Sequence, residues 1–447
     1  MENTFPQHAE PWMRQPTTIL SATPNARELR RAQDEEALTA ARTIAGILEK
    51  DVDGTLGYCG GPLYSTITFR SNDRDCAAKV LAKREEICRA LDVETVHIRV
   101  PAGRDDVAIE VPRRRDVLRL GDLVRAVYGP ADTRTIPLST GLPPKIALGM
   151  GENRVPWFSP LAGEMKHLLV GGLHGAFMHS AIISLLLQHS PDEMKMILID
   201  LTRVEFHRYE DLPHLLLPPI SSPEDAAAAL SWAVREAEER QEAFERMGVR
   251  YLDDCNAMMR RDGSSIARRP WPHIVIVFNE PDGMMFCDEH REKVEEAISR
   301  ITAPWAGGDV GVHLIVASGG FSPLVFSPRI KQHFHTRLCS HAPSEEASRL
   351  VLEAPGAEEI LFGAAEMLVC TPAVSPLPAV LHRLAVCFPS EEDISSVVEF
   401  WKVQGTPAYL PGVLSGEDGA PRHVLEIAVE FETAGSVGEQ AEGGPDA

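Results

Sequence analysis

Four uninterrupted apolar runs constrain this chain more than anything else in it: HLLVGG at 167–172, MKMILID at 194–200, HIVIVFNE at 273–280 and VHLIVAS at 312–318. A strand that faces water on one side alternates apolar and polar residues. These runs do not, so both faces of each must be covered. Helical patterns lie between them, SAIISLLLQ at 180–188 and PEDAAAALSWAVREAEERQEAFERMG at 223–248. The second opens on Glu224 and Asp225, which suit the positive end of a helix dipole, and stops at Gly248. TRLCS at 336–340 is a fifth candidate strand. Doubly covered strands alternating with helices predict an α/β domain built on a parallel sheet flanked by helices.

A smaller α/β module precedes it. Residues 26–50 read as a helix, TITFRS (66–71) as a strand and AAKVLAKREEICRAL (77–91) as one amphipathic helix. VHIRVP (96–101) and VAIEVP (107–112) read as short strands about a turn at 102–105. The expected organisation is a disordered N-terminus (1–25), a small α/β domain (26–145), a large α/β domain (146–405) and an acidic, largely disordered tail (406–447).

Charge narrows the function classes. With 44 Lys and Arg against 65 Asp and Glu, the net charge is −21, and the long-range field repels nucleic-acid phosphate and anionic lipid. Net charge therefore does not support double-stranded DNA as a partner. Eight scattered cysteines without a C-x-x-C pair suit a reducing compartment, and the N-terminus lacks the basic-then-apolar order of a signal peptide. The uncharged stretch from His167 to Pro191 contains Gly171, Gly172, Gly175 and four histidines, so it reads as strand, turn and helix rather than a membrane span. The expectation is a cytoplasmic protein with no membrane partner.

Ligands of α/β sheets sit at the carboxyl ends of strands, which makes 167–187 the informative segment. It has the setting of a phosphate loop. The working pattern G-x-x-x-x-G-K-[ST] uses backbone amides and a lysine to grip phosphates and a hydroxyl to hold Mg²⁺. Counted from Gly172, the final Gly, Lys and Ser/Thr positions hold Phe177, Met178 and His179, and no Lys or Arg occurs between Lys166 and Lys195. A charge-assisted bond of the missing kind contributes about 1.5–3 kcal/mol, roughly ten- to hundredfold in affinity. Gly172, Leu173, His174, Gly175 and Ala176 thus read as a vestigial phosphate loop that binds ATP poorly. In HIVIVFNE, Asn279 stands where a Mg²⁺-associated carboxylate belongs, and Glu280 remains able to orient water. On these two features alone, core strands of a non-nucleotide α/β fold explain the residues equally well.

Over roughly residues 30–405 the chain resembles the motor region of the FtsK/SpoIIIE DNA translocases. MKHLLVGG (165–172) is similar to that family's strand and loop entry, and 199–256 resembles the family segment that follows, through Glu205, Tyr209-Glu210, Leu212-Pro213-His214-Leu215-Leu216, Ala226, Ala229-Leu230, Gly248-Val249-Arg250 and Asn256. GVHLIVAS (311–318), HTRLCSH (335–341), SRLVLE (348–353) and GAEEILFGAAEML (356–368) fit the later parts. VAIEVPRRRDVLRLGDLV (107–124) and LGMGENRVP (148–156) resemble the small alpha domain and its junction to the motor. The resemblance implies a RecA-like P-loop NTPase fold, a homo- or hetero-oligomeric ring with FtsK-like subunits, and Arg337 and Arg349 as neighbour-facing arginines.

The departures fall on the nucleotide elements. A four-residue gap follows Gly175 where the family carries Ser-Gly-Lys-Ser. Ser318-Gly319-Gly320-Phe321 stands for Thr-Gln-Arg-Pro, and Asp200-Leu201-Thr202 for Asp-Pro-Lys. No membrane segments are expected before the motor and no basic winged-helix module after it. The expected function is a structural or regulatory pseudo-ATPase, with Glu280, Asn279 and Arg337 as remnants of the catalytic set and no confident cofactor. The alternative is an active ATP-dependent double-stranded DNA translocase with an atypical phosphate loop, and only that reading brings in ATP and Mg²⁺.

Weaker signals remain. His333, His335, Cys339 and His341 would centre a metal-dependent hydrolase, but their spacing is irregular and no metal site is expected. Arg260-Arg261 and Arg268-Arg269 flank a loop that reads as solvated or as a DNA or partner contact, and Arg113-Arg114-Arg115 lie in a turn of the small domain. Asp288, Glu289 and His290 read as a helix start.

Overall fold

The computed structural model describes residues 20, 26–48, 55–70, 75–99, 106–113, 118–128, 143–152, 154–261, 270–303, 310–360, 362–371 and 381–414. The disorder expected for 1–25 lies outside the described residues except at Leu20. So do the turn at 102–105, Arg114 and Arg115, the side chains of Arg260 and Arg261, Arg268-Arg269, and the tail beyond 414.

The first unit comprises α1 (Ala26–Leu48), β1 (Thr55–Gly60), β2 (Tyr64–Arg70), α2 (Cys76–Ala82), α3 (Arg84–Leu91), β3 (His97–Arg99) and β4 (Asp106–Pro112). Its four strands form an antiparallel sheet in the order β1-β2-β4-β3. Ile44 and Leu48 of α1, Val80 of α2 and Ile87 of α3 close over Ile67, Phe69, Val107 and Ile109. The single helix expected over 77–91 is two helices, separated at Lys83 (φ −91°, ψ 1°). Strand β1, TLGYCG, has too little apolar alternation to be read from sequence.

After α4 (Leu120–Tyr128) comes the larger unit: β5 (Lys145–Gly151), β6 (Pro156–Pro160), β7 (Leu168–Gly171), α5 (Gly175–Gln188), β8 (Met194–Asp200), α6 (Pro223–Met247), α7 (Leu252–Arg261) and β9 (His273–Asn279). Then follow α8 (Asp282–Met285), α9 (Asp288–Thr302), β10 (Val312–Ser318), α10 (Pro328–Lys331), β11 (Thr336–Cys339), α11 (Glu345–Leu352), β12 (Glu366–Cys370), β13 (His382–Ala385) and α12 (Glu391–Lys402). The nine-stranded sheet runs β6-β5-β13-β12-β11-β7-β10-β9-β8. Strands β11, β7, β10, β9 and β8 are parallel, as expected. Beyond this parallel core, β12, β13, β5 and β6 extend the sheet antiparallel. Strands β12 and β13 are short and carry Glu366 and Arg383, β6 begins and ends on proline, and β5 opens on a lysine and is broken by glycines, so none shows the continuous apolar run of a parallel core strand.

Each face of the sheet has its own core. Helices α6 and α9 cover one side through Trp232, Phe244 and Ile298, which pack with Phe278 and Val316. Helix α5 covers the other with Phe177, Ile182 and Leu186, and Trp401 of α12 packs behind it. The Trp401 indole donates to the Leu186 carbonyl at 3.0 Å. This placement between sheet and α12 explains why every residue from Phe177 to Gln188 is buried. The outer edge of β8 is closed by residues 214–220, which exchange backbone bonds with Met196, Leu198 and Asp200 at 2.8–3.0 Å. A proline-rich segment on that edge blocks further strand pairing. Residues 406–414, expected within the tail, pack on the large core through Leu410 and Val413.

A buried polar cluster joins the two sheets. Tyr64 of β2 donates to Glu366 of β12 at 2.8 Å, and Arg383 of β13 pairs with Glu110 of β4 at 2.8 Å and Glu366 at 3.0 Å. Among the described residues no helix is long and apolar enough to cross a membrane.

Candidate functional site

The parallel register brings the ends of β7, β10, β9 and β8 together, with Gly171 beside Ser318, Ala317 beside Asn279 and Asn279 beside Asp200. The chain then turns at Gly172, whose φ of +84° belongs to the left-handed region. A Cβ there would lie 2.4 Å from Oγ of Ser340, so both backbone and space require glycine. The Gly172 amide donates to the Ser318 carbonyl at 3.0 Å.

Two residues on, His174 caps α5 and folds its ring back into the turn. Nδ1 lies 2.6 Å from the Gly172 carbonyl and Nε2 lies 2.7 Å from Oδ1 of Asn279. Oε1 of Glu280 is 3.7 Å from the same Nε2. Asn279 in turn donates through Nδ2 to Oδ1 of Asp200 at 3.0 Å. The result is a continuous chain, Gly172–His174–Asn279–Asp200, laid across the strand ends.

Asp200 anchors it. Its Oδ1 accepts from the Thr202 amide and hydroxyl, and its Oδ2 accepts from the amides of Val204 and Glu205 at 3.0 and 2.8 Å. Burial pushes its pKa up, but these bonds and the one from Asn279 outweigh burial and leave it below the usual aspartate value. Glu280 shows the opposite balance. Burial raises it despite the Gly319 amide at 2.9 Å and the neighbouring His174, and Asp282 adds to the rise. The Glu280 backbone also sits at φ +52°.

A second group lines the first turns of α5. His179 is held between the Tyr209 hydroxyl and Oε2 of Glu205, both at 2.8 Å, and burial lowers its pKa despite the carboxylate. The other oxygen of Glu205 is 3.6 Å from where a Cβ on Gly175 would be. Beyond β10, the Ser318 hydroxyl lies 2.6 Å from Oδ2 of Asp282 and 2.8 Å from the Gly320 carbonyl.

Of the residues singled out from sequence, Gly172, Leu173, His174, Gly175 and Ala176 form the turn and the first residues of α5, and Asn279 and Glu280 meet them. Leu173 is exposed. Arg337 does not join this group. It lies within β11 opposite Leu169, donates to the Phe334 and Lys331 carbonyls and pairs with Glu353 at 2.8 Å. Arg349 pairs with Glu345 along its own helix. The His333–His341 cluster is dispersed too. His335 and His341 are exposed, while Cys339 is buried with its thiol pushed up to about 12 by burial. Among the described residues no group of three or more His, Cys, Asp or Glu is placed to hold a metal ion. Sequence reasoning did not pick out Glu205, His179 or Tyr209 as one group, since only the turn after β8 brings Glu205 to α5.

Comparison with known proteins adds the family context. Residues 142–331 match the model of the FtsK/SpoIIIE family. The chain is similar to the DNA translocase FtsK of Mycobacterium tuberculosis (strain ATCC 25618 / H37Rv), with 34% identity over 357 residues, covering 77% of this chain and 41% of that protein. It is 31% identical over 390 residues to the DNA translocase FtsK of Corynebacterium efficiens, covering 84% of this chain and 39% of that one. The chain therefore spans about two fifths of the length of these relatives. Among solved structures, the pCW3 conjugation coupling protein TcpA, in monomer form with ATPgS, matches with a TM-score of 0.55 at 17% identity, covering 82% of this chain and 99% of that chain. At that identity the likeness shows a shared fold, that of the P-loop ATPases.

Proposed function

The chain is a member of the FtsK/SpoIIIE family through its domain at 142–331, and on that premise we propose that it is a translocase-like protein that has lost ATP hydrolysis and serves a structural or regulatory role. The observation that carries this reading is the Gly172–His174–Asn279–Asp200 chain. Phosphate loops bind through outward-facing amides, a lysine and a nearby Mg²⁺ carboxylate. Here the loop carries no Lys or Arg, and its histidine is spent on its own turn and on β9. Asn279 supplies a neutral amide where the carboxylate belongs, with its oxygen facing His174 and its nitrogen facing Asp200. The donor set does not fit a Mg²⁺–triphosphate without dismantling this chain, and we route no catalytic step through one.

Glu280 remains at the end of β9 with its carboxylate on the Gly319 amide, a contact that positions side chain and turn without any nucleotide. A ring with FtsK-like subunits, of its own kind or mixed, is the assembly this reading favours. Arg337 would have to leave Glu353 and two carbonyls to serve a neighbour, so the assembly role is argued for the scaffold and not for that side chain.

Calorimetric titration of the purified chain with ATP and Mg²⁺, run beside ATP turnover with and without double-stranded DNA, tests the proposal. No binding tighter than millimolar and no DNA-stimulated turnover are expected. Micromolar binding with DNA-stimulated hydrolysis overturns it in favour of an active translocase with an atypical loop.

A further inference from the structure

Hydrogen-bond direction in the loop fixes a charge. The Gly172 carbonyl 2.6 Å from Nδ1 of His174 can only accept, so Nδ1 carries a proton. On the other side of the ring, Nε2 faces Oδ1 of Asn279 at 2.7 Å. Asp200 sets the orientation of that amide, because turning it over would aim an amide oxygen at a carboxylate oxygen 3.0 Å away. Asp200 is itself held as an acceptor by the donors at Thr202, Val204 and Glu205. Asn279 therefore presents an acceptor to the ring, and Nε2 carries a proton as well.

A histidine that donates from both nitrogens is an imidazolium. We propose that His174 is an internal cation of this loop, a positioning residue whose two N–H bonds tie the turn after β7 to the end of β9. The surrounding charges agree. Glu280 of the β9 end lies 3.7 Å from Nε2, Asp200 of β8 stands behind Asn279, Asp282 of α8 neighbours Glu280, and Glu205 approaches Gly175 from the turn after β8. His179, the other ring in the first turns of α5, is already engaged by Tyr209 and Glu205. The N-terminal dipole of α5 opposes a cation at its cap, and the close Glu280 carboxylate offsets it. The charge that the missing lysine would have brought is thus present, but it faces inward and is spent on the protein's own oxygens.

This inference deepens the proposed function, and its test is separate from ATP binding. Nitrogen NMR of the full chain, labelled at its histidines, reads the protonation of each ring between pH 6 and 9. The His174 signals are assigned by their loss in His174→Gln, and independently by their movement in Asn279→Asp. Both ring nitrogens of His174 are expected to be protonated at pH 7.5, where a histidine in water is mostly neutral. In Asn279→Leu, which removes the acceptor facing Nε2, that nitrogen should be bare at pH 7.5. A bare nitrogen on wild-type His174 at pH 7.5, or no change in Asn279→Leu, overturns the proposal. Micromolar ATP binding with DNA-stimulated hydrolysis by a chain whose His174 is doubly protonated would overturn only the reading of lost hydrolysis.

Discussion

The same parallel strands end in histidines at both extremities, and the two ends treat them in opposite ways. At the carboxyl end, His174 finds an oxygen acceptor for each ring nitrogen and a carboxylate nearby. At the amino end, His167, His189, His214, His273 and His313 gather below β7, β8, β9 and β10, fully or nearly fully buried. The rings of His273 and His313 stack with centroids 5.2 Å apart and share one bond of 2.9 Å, which requires one ring to accept. Among the described residues, Nε2 of His167, Nδ1 of His214 and both nitrogens of His189 find no hydrogen-bond partner. Burial lowers all five, His189 and His214 to about 3, and His167 and His313 well below the ordinary value. One residue type is held by polar partners at one end and kept neutral by desolvation at the other. Chain composition does not distinguish the two uses; the surroundings do.

Acid breaks this contrast most strongly. His189 and His214 titrate near 6.5 when unfolded and near 3 when folded, so the unfolded state binds more protons throughout that window. Their contribution is fully present above pH 6.5 and is lost as pH falls toward 3. At pH 4.5 each ring costs roughly 3 kcal/mol of folding stability, from about two units at 1.36 kcal/mol each. Urea unfolding followed from pH 7.5 to pH 4.5 should show the loss, and His214→Gln should flatten the slope. A pH-independent midpoint would refute the neutral-histidine account.

At the carboxyl end, Asn279→Leu removes the bridge between His174 and Asp200 and leaves two buried polar partners unmatched. A loss of about 2–3 kcal/mol is expected in urea unfolding at pH 7.5. A change within 0.5 kcal/mol, roughly the effect of an ordinary surface substitution, would mean that the chain of bonds does not hold the loop. Gly172→Ala attacks the same loop through its backbone, forcing a side chain into a left-handed turn and against Oγ of Ser340. About 1–3 kcal/mol should be lost, with no effect on the acid slope set at the other end. The smallest change serves as a control away from both ends. Ser390→Ala removes a capping box on α12, in which the Ser390 hydroxyl accepts from the Asp393 amide at 3.1 Å. Its cost is about 1 kcal/mol, equal at pH 7.5 and at pH 5.5.

The parallel half of the large sheet was legible because its strands are buried on both faces, and burial leaves a mark in every residue of HLLVGG, HIVIVFN and VHLIVAS. The antiparallel half left no such mark. Strand β12 begins with Glu366, β13 contains Arg383, and these charges are acceptable only because they meet each other, Glu110 and Tyr64 across the two sheets. The break between α2 and α3 escaped notice because an amphipathic pattern continues through Lys83 when the backbone does not. In the site, Gly172 and His174 could be named as parts of the loop, and Asn279 as standing where a nucleotide pattern has a carboxylate. That His174 and Asn279 touch could not be read, since they are 105 residues apart and meet only across β10. Arg337, which the resemblance implied would face a neighbour, pairs with Glu353 of its own chain, a contact that only the fold shows.

The sequence by itself determined the α/β character, the order of the parallel core strands' helices and loops along the chain, and a loop after β7 that carries no Lys or Arg. Those are properties of residue type and period, and burial and backbone geometry write them locally. The tertiary structure decided what the substituted residues do. It turned His174 inward onto Gly172 and Asn279, set Asn279 by Asp200, and tied Arg337 to Glu353. Hydrogen bonds act over about 3 Å, and only the parallel register of distant strands brings these particular atoms within that reach.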